Sequence, residues 1–152
     1  MTAEPEVIEP LQAVLAAEHA VIYGYGVVGA HLRGADRRRA AAELARHRNQ
    51  RDALAGQLLE LGADPVQTAP AYQLPQPVNS SDTARDLAAV LESRLAAVWA
   101  DAVLTLPARQ AAGDTVRLRK QAVAGLRGAA VAAALWRGRS VPFPGLTERN
   151  GA

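Results

Sequence analysis

The chain has 152 residues, a net charge of +2 and no cysteine. That length suits a single domain over residues 1–152, and the missing thiol excludes disulfides, thiol catalysis and cysteine-ligated zinc. Apolar residues at 49% and charged residues at 21% exclude wholesale disorder, while 34 alanines and only 4% aromatics favour helix over strand.

The first helix is predicted over residues 7–33. Leu11, Leu15, Glu18, Ile22, Tyr25, Gly29 and Leu32 recur by four and three, an apolar seam with one carboxylate in it. Gly34 breaks the run, and Asp36 is the expected cap of a second helix over residues 35–62. Its seam is Leu44, His47, Arg51, Leu54, Leu58 and Leu61, with Gly62 as the stop. Residues 63–81 hold Pro65, Pro70, Pro75 and Pro77 and read as an extended connector. Ser81 or Asp82 caps a third helix over residues 82–104. Pro107 opens a fourth over residues 107–138, or else kinks a longer third helix. Residues 139–152 read as packed coil anchored by Phe143.

These helices would each be roughly 35–48 Å long at about 1.5 Å per residue. An extended connector of this length reaches up to about 63 Å, enough to run the length of a bundle. The expected fold is therefore an all-α four-helix bundle with one long Pro-rich crossover between helices two and three.

Leu-Ala-Ala-Glu-His-Ala at 15–20, Tyr-Gly-Tyr-Gly-Val-Val at 23–28, His47-Arg48 with Arg51-Asp52, and Pro-Phe-Pro-Gly at 142–145 resemble an alanine-rich ferritin-like family of unknown function from actinobacteria. The resemblance covers nearly the whole chain. It implies a ferritin-like fold and no particular activity.

A ferritin-like di-iron centre takes one Glu from each of two helices and Glu-x-x-His from each of the other two. Glu18 and His47 sit on the right seams, but Leu44 stands where the second helix needs Glu. Glu92 is a plausible third-helix carboxylate, although that helix has two nearly equivalent seams. Residues 117–137 contain no His, Asp or Glu. Glu18, His47 and Glu92 fall within roughly one helical turn of a common depth, and Arg51 lies one turn below His47. One reading is a single iron or manganese ion held by Glu18, His47 and Glu92. The other is a buried polar network of Glu18, His47, Arg51 and Glu92, in which the guanidinium replaces the metal's charge and no cofactor is needed.

Gly-Tyr-Gly-Val-Val-Gly at 24–29 spells a dinucleotide fingerprint, but it lies inside a helical pattern, where close packing explains the glycines better. Arg37, Arg38 and Arg39 with Arg137 and Arg139 would form a basic pole at one end of the bundle. A solvated face is the commoner meaning of such a run, and few aromatics interleave it, so nucleic acid is not an expected partner. His19 and His31 fall off the seam and are read as surface residues. Tyr23, Tyr25, Trp99 and Trp136 are read as packing residues. The third helix is apolar around most of its circumference, which suggests burial on several sides and a homodimer.

Residues 1–10 are acidic and unlike an export signal, and no segment reads as a membrane span, so a cytoplasmic protein without a membrane partner is expected. Three functions follow in order: a non-enzymatic structural or interaction protein with a degenerate di-iron site, a metal-binding or oxidase protein with a reduced ligand set, and a polyanion-binding module using the basic pole.

Overall fold

The computed structural model describes residues 5–108 and 114–138. Within them lie four α-helices and no strand: α1 Pro5–His31, α2 Gly34–Glu60, α3 Ser81–Thr105 and α4 Asp114–Arg137. Pro5 occupies the first helical position, where its missing N–H costs nothing, and Pro10 is accommodated inside α1.

The helix ends follow local chemistry, with three differences from the expected caps. Gly34, at φ +57°, is the first residue of α2 and makes the sharp entry from α1. Asp36 does not cap α2; its carboxylate instead takes the Arg85 Nε–H at 2.8 Å. Ser80 rather than Ser81 or Asp82 caps α3, closing a reciprocal box with Thr83. Pro107 neither opens α4 nor kinks α3: Leu106 is extended ahead of it, as a residue before proline prefers, and α3 stops at Thr105. Gly62 and Gly138 both take positive φ just beyond helix ends. The expected coil at 139–152, with Phe143 and the Pro-Phe-Pro-Gly stretch, lies outside the described residues.

Side-chain pairs fix the helix directions. Arg119 on α4 reaches the Val103 and Leu106 carbonyls, and Arg137 reaches Ser93, so α3 and α4 run antiparallel. Asp36 meets Arg85 and Arg46 meets Glu92, so α2 and α3 run in the same direction. The intervening Pro-rich residues are tied to α1. Gln12 bonds the Asp64 carbonyl and the Val66 N–H, His19 bonds the Val66 carbonyl, and the Tyr72 ring packs on Tyr23.

α3 is the centre of the molecule. It packs on both α1 and α4, and Leu74 of the Pro-rich segment covers a further side. Its all-round apolar character is thus satisfied within one chain and carries no argument for a dimer. Small residues make the close packing possible. A Cβ on Gly125 would overlap the Trp99 ring, and one on Gly24 would overlap the tip of Leu91. Gly26 and Gly29 differ, because no neighbouring element among the described residues comes within 4 Å of where their Cβ would be.

Contrary to the expectation that no segment reads as a membrane span, α1 is long and apolar enough by length and hydropathy to cross one. In the bundle it buries Val7, Leu11, Leu15, Tyr25 and Val28 against its neighbours, with the Glu18 carboxylate among them.

Candidate functional site

Three ionisable side chains with no solvent exposure meet at mid-bundle: Glu18 of α1, His47 of α2 and Glu92 of α3. The His47 ring bridges the two acids, with Nδ1 2.7 Å from Glu18 Oε2 and Nε2 2.9 Å from Glu92 Oε1. An ionised carboxylate only accepts, so the ring serves both acids as a donor only with a proton on each nitrogen, as an imidazolium. Burial alone would lower its pKa. The hydrogen bonds it donates to both acids, together with their charges, override that and push it up to about 9.

Glu92 is the hub. Its Oε1 also accepts from the Tyr25 hydroxyl at 2.6 Å and from Arg46 NH2 at 3.2 Å. Trp136 Nε1 donates to Tyr25 at 3.0 Å, extending the network to α4. The Tyr25 ring stacks on the imidazole, and its pKa is driven far upward by burial first and then by the Glu92 charge. Tyr25 therefore stays a neutral donor. Glu18 is less well served, because its Oε1 has no donor among the described residues.

The cation beside Glu92 is Arg46, not Arg51. Arg46 also binds Glu43 at 2.6 Å through Nε and Gln50 at 3.4 Å. Its NH2 lies 3.3 Å from His47 Nε2, but with both groups protonated these are two donors converging on one carboxylate. Arg51 turns outward and pairs with its neighbour Asp52 at 2.8 Å. Stepping by four from His47 selects Arg51. Arg46 starts on a neighbouring strip of the helix surface, and its long stem brings the head round to the site. Tyr25 was within reach of sequence reasoning, since it stands seven residues from Glu18 on one seam. Glu43 was also legible, four residues before His47 on one face of α2.

The basic pole is partly engaged. Arg39 lies over the Trp136 ring at 4.6 Å, and Arg137 is bonded to Ser93. Arg37 and Arg38 are exposed, and Arg139 lies outside the described residues. The Gly-x-Gly-x-x-Gly stretch is interior to α1 with no strand before it, so it has none of the context of a dinucleotide loop.

Residues 10–148 match a family model described as a domain of unknown function, DUF4439. The chain belongs to that family. A crystal structure of a conserved hypothetical protein, rv2844, from Mycobacterium tuberculosis is similar to it at 32% identity. The two share a TM-score of 0.78, over 90% of this chain and 98% of that one. No curated protein matches this chain. The neighbour shares the helical fold, and neither description names a biochemical role.

Proposed function

We propose that this chain is a ferritin-like bundle with a non-enzymatic, structural or interaction role, in which protein cations occupy the centre where that fold can hold two irons. The observation that carries this is the His47 ring, whose two nitrogens both face carboxylates. An imidazolium has no lone pair to give a metal, and the Arg46 guanidinium repels a second cation. The ferritin-like assignment is supported by the shared direction of α2 and α3. Their connection must return the length of α2, and its Pro-rich residues are hydrogen-bonded to α1 on the way. The test is metal analysis of untagged protein grown with iron, manganese and zinc. The reading expects well under one ion per chain and no change in melting temperature on adding metal.

A second reading has one specific observation in its favour. A ligand atom from each of Glu43, His47 and Glu92 lies within 4.8 Å of the others, close enough to share an ion. Iron or manganese would suit this mixed carboxylate and imidazole set. The residues fit only in part, because a metal needs His47 to lose a ring proton and Arg46 to leave both Glu43 and Glu92. Stoichiometric metal lost on His47→Ala would establish this reading against the first.

A cytoplasmic homodimer completes the proposal, with the contact on the outer face of α4, where Val116, Val123, Val131 and Leu135 stand exposed. Sedimentation of a Val123→Lys variant tests it: a dimer that dissociates supports the contact, and a wild-type monomer refutes it.

A further inference from the structure

We propose that the small cleft between α1, α3 and the Pro-rich segment binds a short-chain carboxylic acid, with the apolar body inside and the carboxylate held by Arg94 and Gln73. Ala17, Ala20 and Val21 of α1 and Leu91, Leu95 and Val98 of α3 form its floor, and Tyr72 to Pro75 form its roof. The space measures about 130 Å³. An apolar cavity of about 150 Å³ holds a benzene, so this cleft takes a body of about four to six carbon atoms.

The roof is pinned on both sides and does not collapse onto the floor. The Tyr72 ring packs on Tyr23 at 5.7 Å, and its hydroxyl accepts from the Ala69 N–H at 2.9 Å. Gln76 donates to the Thr83 carbonyl at 3.3 Å, and Pro75 stiffens the stretch between. From below, Ala17 and Ala20 are too small to fill the gap. Protein interiors hold few voids of this kind, so apolar atoms placed here gain contacts that the fold leaves unmade. A preformed cleft also avoids the ordering cost of binding.

Charge selects the head group. Arg94 is the one charged side chain on the described lining, and no acidic residue shares it. Arg94 is exposed, so its head meets solvent at the mouth. Neither Arg94 nor Gln73 has a hydrogen bond or ion pair among the described residues. A guanidinium fork and an amide N–H thus stand unpaired on one apolar cleft, and together they suit the two oxygens of a carboxylate. An amine would meet the like charge of Arg94, and a doubly charged phosphate would find a single cation. Glu18, His47 and Glu92 do not line this cleft, so the inference stands independently of the function proposed above.

The test is heteronuclear NMR titration of the full chain with hexanoate, pentylamine, pentanol and pentyl phosphate. These share one pentyl body and differ only in the head. The expected result is one hexanoate per chain, with the Ala17, Ala20 and Leu74 amides shifting together. Hexanoate should bind at least about tenfold more tightly than pentylamine, and more tightly than pentanol or pentyl phosphate. Arg94→Gln should bring hexanoate and pentanol within about twofold of each other, a charge-assisted contact being lost. Gln73→Ala should weaken hexanoate alone, and Ala20→Leu should fill the cleft and abolish uptake of all four. Arg94 is exposed, so Arg94→Gln decides the matter even where Ala20→Leu fails to fold. Pentylamine or pentyl phosphate binding as well as hexanoate would overturn the proposal. So would a head preference unchanged in Arg94→Gln, or hexanoate uptake that is absent, does not saturate at one site or shifts amides elsewhere.

Discussion

The Arg46 guanidinium reaches Glu92 across the bundle at 3.2 Å, from a position immediately before the histidine that binds the same carboxylate oxygen. Adjacent residues of α2 thus deliver two positive charges to one buried acid on α3. Together with Glu18 on α1 and the Trp136–Tyr25 link from α4, this joins all four helices through polar contacts at a single level. On the function proposed above, such a level would fix the register of helices whose alanine-rich faces could otherwise slide with little change in packing.

Removing Glu18 exposes the strength of that lock. Glu18→Ala leaves the buried Nδ1–H of His47 without its carboxylate acceptor, and about 3–5 kcal/mol of stability should be lost. Glu18→Gln retains an acceptor for the Nδ1 proton and should lose less. Urea unfolding of the two variants against wild type checks both.

Stability should fall on the alkaline side. The His47 pKa is raised in the folded chain, from 6.5 to about 9. A raised folded pKa stabilises fully below the unfolded value and is lost as pH climbs through the folded one. The contribution is therefore complete below about pH 6.5, declines from there, and is gone above about pH 9, a loss on the order of 3 kcal/mol. Melting temperatures from pH 6 to 10 should follow this curve, and His47→Gln should flatten it.

The two arginines should behave oppositely. Arg46→Met strips Glu92 and Glu43 of their shared cation and should cost about 2–4 kcal/mol. Arg51→Met breaks only an exposed pair with Asp52 and should shift stability by about 0.5 kcal/mol or less. Equal effects would return Arg51 to the network.

Glycines in the bundle should divide into two kinds. Gly125→Ala drives a methyl into the rigid Trp99 ring and should cost about 1–3 kcal/mol. Gly24→Ala meets only the movable end of Leu91 and should cost less. Gly26→Ala and Gly29→Ala enter open space inside a helix and should each stabilise by up to about 1 kcal/mol. Thermal melts of the four variants order them.

Much of this was legible in the sequence. Seam spacing placed Glu18 and His47 on inward faces, and the glycines at 34, 62 and 138 marked helix ends, because both signals depend only on local backbone periodicity. Helix three was harder. Its apolar residues run around most of the circumference, and only the packing on α1 and α4 selects the face that carries Glu92. The choice of Arg46 over Arg51 was out of reach for a different reason. Seam counting tracks where a Cβ points, whereas a guanidinium on a long stem is placed by the charges it finds. The end of α3 at Thr105, one residue beyond the expected 104, is set by Pro107, which holds Leu106 extended.

The protonation state of the His47 ring at neutral pH tests the central claim most directly. Nitrogen-detected NMR of the imidazole at pH 7 should show both Nδ1 and Nε2 protonated, titrating near pH 9 and indifferent to added manganese or zinc. A neutral ring at pH 7, or a ring nitrogen whose resonance shifts on stoichiometric zinc, would contradict the account and make Glu43, His47 and Glu92 a metal site.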